Sequence, residues 1–126
     1  MQHPSKPLAK TRQGTVSGSA EQGIHIWRGI PYAAPPVGPL RWRAPQPPAR
    51  WQGVRQADAF SAASWQDIDY CRELGGGDPG AFSEDCLYLN IWAPAAAAQP
   101  LPVMVWLHGG GFTIGAGSLP PYDGKA

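Results

Sequence analysis

The run VMVWL, residues 103–107, is apolar at every position, so a strand built from it has no face to give to water. Strands on a half-wet sheet alternate, whereas an unbroken apolar strand belongs to a sheet covered on both sides, in practice by helices. The run therefore predicts a central strand in an α/β architecture. The rest of the sequence offers almost no helical pattern to do the covering. Residues 54–70 hold the only candidate turns, weakly patterned, and the text stops at YDGKA where a following element ought to begin. The expectation is an incomplete sheet made mostly of β-strands joined by Pro/Gly-rich loops.

Other segments fit that expectation. GTVSG and IHIWRGI, separated by a polar stretch ending in Gly23, read as a hairpin. CLYLNIW alternates Leu87, Leu89 and Ile91 with Tyr88, Asn90 and Trp92, which predicts a strand with the aliphatic face on a core. Residues 31–53 are too rich in proline for a central strand or a regular helix and must wrap over something, with Tyr32, Trp42 and Trp51 as anchors. APAAAAQPLP reads as a hairpin connection. Residues 1–13 read as a frayed tail, and residues 14–126 as one domain.

Composition removes several classes of function. Charged residues are 15% of the 126-residue chain and the formal net charge is +1, with no basic run, so nucleic acid and anionic membranes are not expected partners. MQHPSKPLAK lacks the apolar core of an export signal, which points to the cytoplasm, and no stretch is long enough to cross a bilayer as a helix. The 2 cysteines, Cys71 and Cys86, leave the compartment open, since a bridge between them would suit a secreted or periplasmic protein. The histidines lack metal-ligand spacing, and neither metal nor cofactor is expected.

The strand at 103–107 runs into His108 and then Gly109, Gly110 and Gly111. Three glycines after a buried strand leave peptide N–H groups unobstructed and free to turn toward one point, a cradle for negative charge. A phosphate loop would close with Gly-Lys-Ser/Thr, and a dinucleotide loop would carry G-x-G-x-x-G; residues 109–117 contain neither. An HGGG turn after a strand is the oxyanion-hole arrangement of ester hydrolases, set against the plainer reading of a flexible turn.

With WRGIPYAAPPVGPLRWRAP from Trp27, EDCLYLNIW from Glu84 to Trp92 and WLHGGGF followed by SLPPYDGKA, the chain resembles the N-terminal part of a type-B carboxylesterase. The resemblance implies the N-terminal part of an α/β-hydrolase fold, a small-molecule ester substrate and an acyl-enzyme mechanism. It assigns oxyanion-hole amides to Gly110 and Gly111, and a role in shaping the loop to His108. Phe112 becomes a wall of the acyl pocket or simple packing. It further implies a disulfide between Cys71 and Cys86 beside the site entrance, and an ion pair of Glu84 with Arg41 at the base of that loop. Choline esters are not expected, because the only aromatic between the cysteines is Phe82.

No serine of the chain stands in G-x-S-x-G, so the nucleophile is not among these residues, nor can the acid and histidine of a triad be assigned. The chain is expected to supply the oxyanion loop and gorge rim of an esterase and to be inactive alone. A non-catalytic cholinesterase-like binding protein and an inactive truncated fragment are the rival readings. Oligomeric state has no signature here.

Overall fold

The computed structural model describes residues 6–125, so residues 1–5 of the tail expected over 1–13 lie outside them. Its longest strand is β4, Ile24–Pro31, paired antiparallel with β3, Ser19–Glu21, on one side and with β6, Tyr88–Pro94, on the other. Gln22 and Gly23 join β3 to β4 with φ of +49° and +81°, the left-handed pair that a two-residue hairpin turn needs to match strand twist. The hairpin is thus tighter than the sequence suggested. Its first arm lies within the stretch read as polar connection, and Thr15–Ser17 goes elsewhere.

Thr15–Ser17 is β2, the middle of a second sheet in the order β1-β2-β5, with β1 Leu8–Lys10 antiparallel and β5 Val54–Gln56 parallel to it. Residues 8–10, expected to fray, are therefore a paired strand. Ala57 stitches the two sheets: its N–H donates to Ser17 O at 2.7 Å and its carbonyl accepts from Arg28 N–H at 2.8 Å. Around that stitch Val16, Trp27, Ile30 and Ala57 form a buried cluster, with Trp51 packed against it. A second cluster gathers Ala63, Cys71, Ala116 and Leu119.

Beyond Pro31, which ends β4, the proline-rich crossing has no strand and a single 3₁₀ turn at Gly38–Leu40. Of its three proposed anchors, Trp51 holds, donating its indole N–H to Thr15 O at 2.8 Å. Trp42 is 96% exposed and anchors nothing, and Tyr32 is half exposed. The helical turns expected in 54–70 begin only at α1, Ile68–Glu73, where the Asp67 carboxylate accepts from Asp69 and Tyr70 N–H. Earlier in that span the chain is strand β5.

Two further expectations are corrected. Residues 103–107 belong to no strand, and their exposure runs from 67% for Trp106 to 90% for Met104. No backbone hydrogen bond engages them among the described residues, and β6, whose outer edge is free, has no strand alongside there. In β6 the alternation is present but inverted: Leu89 and Ile91 are exposed while Tyr88, Asn90 and Trp92 are half-buried. Apolar patterning marks which faces ask for cover, and only one face of this sheet receives it among the described residues.

Candidate active site

The glycine run is the N-terminal arm of a closed turn. Gly110 O accepts three bonds, from Thr113 N–H at 3.0 Å, Ile114 N–H at 3.2 Å and the Thr113 hydroxyl at 3.0 Å. Gly110 has φ +121° and its Cα sits against the Ile114 carbonyl so closely that a Cβ would collide with it. Gly111 and Phe112 follow at +59° and +63°. Glycine is therefore required at 110 by contact as well as by backbone conformation.

The direction of the amides follows from those bonds. In a trans peptide the C=O and the following N–H point opposite ways. With Gly110 O turned into the loop, the Gly111 N–H is turned out of it. Gly109 O lies 2.9 Å from His108 Nδ1 and against Gly115, which turns the Gly110 N–H away from that side. Neither amide has an acceptor among the described residues. A hollow of about 200 Å³ lies beside Gly111, lined also by His108, Gly109, Phe112 and Ile114.

Phe112 stands at the rim of this hollow, fully exposed, so it contributes no packing. A larger hollow of about 290 Å³ lies between the proline-rich crossing and the start of β6, with Tyr32, Arg43 and Leu87 among its walls. Arg41 Nε sits 2.6 Å from Glu84 Oε1, with both side chains substantially exposed. Such a pair fixes geometry more than it stabilises. No cluster of acidic, histidine or cysteine side chains suited to a metal ion exists among the described residues.

The disulfide is a correction: Cys71 and Cys86 are both free. Cys71 is buried among Ala63, Ala116 and Leu119 and roofed by Gly76, where a Cβ would come within 2.9 Å of its Sγ. Its thiol is spent on apolar packing. Burial pushes the Cys86 thiol up from its ordinary pKa, and the Asp85 and Glu84 carboxylates push the same way, so it stays protonated and a poor nucleophile.

Two residues that the sequence reading passed over hold the far end of the turn. Gln66 accepts from Gly115 N–H at 2.7 Å and donates to Gly115 O at 3.0 Å. Asn90 accepts from Gly29 N–H at 3.0 Å, where β4 slips register, and donates to Gly117 O at 3.2 Å. Position within EDCLYLNIW was the available signal for Asn90. Gln66 had none.

The profile of the carboxylesterase family matches residues 5–126. The chain is 48% identical over 118 residues to the para-nitrobenzyl esterase of Bacillus subtilis (strain 168), covering 94% of this chain and 24% of that protein. It is 46% identical over 125 residues to the phenmedipham hydrolase of Pseudarthrobacter oxydans, again over 94% of this chain and 24% of the relative. A solved PNB esterase superposes with a TM-score of 0.88 over 95% of this chain and 24% of its own, at 48% identity. A Geobacillus stearothermophilus carboxylesterase gives 0.82 over 94% and 23%, at 44% identity. The chain thus spans about a quarter of the length of these relatives. What it folds is the N-terminal portion of an α/β-hydrolase, mostly strands and loops, with one short α-helix among the described residues.

Proposed function

The chain belongs to the carboxylesterase family, and from that premise we propose that it supplies the oxyanion-hole loop and gorge rim of a serine carboxylic-ester hydrolase. The observation that carries the proposal is the pair of Gly110 and Gly111 amides, both unpaired and Gly111 lining a hollow, while the carbonyls in their own peptide planes are turned to other contacts. In acyl transfer a serine alkoxide adds to the ester carbonyl and the carbonyl oxygen gains a full charge. Donors already aimed at that oxygen need no reorganisation as the charge develops. A histidine takes the serine proton and returns it to the leaving alcohol, giving an acyl-enzyme that water then cleaves. Those two groups are not assignable within these 126 residues, so the chain alone is inactive.

The substrate class is a small ester. One relative bears the name para-nitrobenzyl esterase and another fumonisin B1 esterase. Quaternary ammonium esters are disfavoured because no tryptophan lies between Cys71 and Cys86 to hold the cation.

The test is a hybrid in which residues 14–126 replace the matched segment of the Bacillus subtilis para-nitrobenzyl esterase. The hybrid is expected to hydrolyse p-nitrophenyl acetate. Gly110→Val is expected to lower kcat by roughly 10²–10³, about 3–4 kcal/mol of transition-state stabilisation, with its circular dichroism unchanged. A folded Gly110→Val hybrid that turns over at the parent rate would end the proposal.

A further inference from the structure

The glycine turn is closed from outside itself. Gly115, buried and at φ +104°, packs so tightly on the start of the turn that a Cβ there would lie 2.5 Å from Gly109 O and 2.8 Å from His108 Nδ1. Whatever fixes residue 115 therefore fixes the peptide planes of 108–110. The groups that fix it belong to one side chain 49 positions away. Gln66 Oε1 accepts the Gly115 N–H at 2.7 Å, and Gln66 Nε2 donates to the Gly115 carbonyl at 3.0 Å and to Ser64 O at 3.1 Å.

A primary amide offers an acceptor and a donor in a single plane without carrying charge, so it pairs with a residue's N–H and C=O as a neighbouring strand would. Glutamate keeps the acceptor but sets a second lone-pair-bearing oxygen against Gly115 O. The brace is itself anchored: the next residue, Asp67, caps α1, whose Cys71 packs with Ala116 and Leu119, which follow Gly115. Ile114 of the turn packs against that same cluster.

We infer that Gln66 is a positioning residue that sets the direction of the Gly110 and Gly111 amides by clamping Gly115. Its catalytic meaning rests on the oxyanion reading above; its geometric effect does not.

In 15N–1H spectra of the chain, Gln66→Leu is expected to shift the amide signals of Gly109, Gly110, Gly111 and Gly115, with those of Ile26 and Trp27 unmoved. Gln66→Glu is expected to match Gln66→Leu while ionised and to return toward the unsubstituted spectrum as its carboxyl protonates, when the O–H replaces the amide donor. In the hybrid enzyme, Gln66→Leu lowers kcat roughly ten- to a hundredfold with KM little changed. Unmoved Gly109–Gly111 signals in Gln66→Leu would overturn the inference. Should that variant not fold, Gln66→Glu decides, and signals that fail to recover on protonation would overturn it equally. The oxyanion reading fails separately, through a Gly110→Val hybrid of unimpaired turnover whose counterpart Gln66 variants still move the glycine amides.

Discussion

The pKa values of Cys86, Tyr32 and Tyr88 are raised, with partial burial the largest cause for each: the Asp85 and Glu84 carboxylates add to it for Cys86, Asp85 adds to it for Tyr88 against an opposing Arg55, and Cys86 adds to it for the half-exposed Tyr32. Each group is thus held neutral in the folded chain at a pH where the unfolded chain ionises it. Raised acids contribute stability that is complete below their ordinary pKa and is lost as pH climbs through the raised value. Thermal midpoints are therefore expected to fall above about pH 9, where free thiols and then phenols begin to ionise. A midpoint that rises or holds across that range would contradict the assignment. The same chemistry makes both thiols countable: thiol titration of the denatured, unreduced chain should find the full complement of 2 cysteines, and iodoacetamide should label the folded chain more slowly than the unfolded one. At this scale the sequence disclosed what depends on missing atoms. The bare backbone of Gly110 and Gly111 was legible as a place for positive φ, which both residues take. Gln66 was not, because one amide in a polar stretch forms no pattern, and the free state of Cys71 was not, because spacing says nothing of what a thiol packs against.

Among the elements, the proline-rich crossing separates residues of identical type by what they touch. Trp51 packs on the Val16 and Trp27 cluster and spends its indole N–H on Thr15 O, the first residue of β2. Trp42 stands at φ +57° with its ring in water. Trp51→Phe keeps most of the apolar area and deletes the bond, so a loss of about 1 kcal/mol is expected, leaving an unpaired carbonyl on β2. Trp42→Ala, which removes no packing, should stay within about 0.5 kcal/mol. Urea unfolding of the two variants checks both, and equal losses would refute the distinction. Strand β4, strand β6 and the irregular crossing were readable from alternation and proline content. Strand β1 was not, since Leu8–Lys10 has no periodicity of its own and acquires its conformation from pairing with β2. Orientation of β6 was also hidden, because alternation shows that two faces differ but not which one finds a neighbour.

For the whole molecule, apolar surface and absent chemistry lead to one expectation. Val103, Met104, Val105, Trp106 and Leu107 are exposed, and Leu89 and Ile91 on β6 are exposed as well. A soluble chain seldom leaves that much contiguous aliphatic surface in water. The chain as given should bind the dye ANS, and a Val105→Lys, Leu107→Lys pair should reduce that binding several-fold. Catalysis depends on a separate condition. An oxyanion loop lowers a barrier only for an alkoxide that some other group generates, and no serine here lies in G-x-S-x-G. The 126-residue chain is therefore expected to hydrolyse p-nitrophenyl acetate no faster than its own Gly110→Val variant, whereas the hybrid enzyme should separate the same two sequences by roughly 10²–10³. A rate difference between the two short chains would mean that a nucleophile within these residues already delivers charge to the Gly110 and Gly111 amides, and the division of labour proposed for this segment would have to be abandoned.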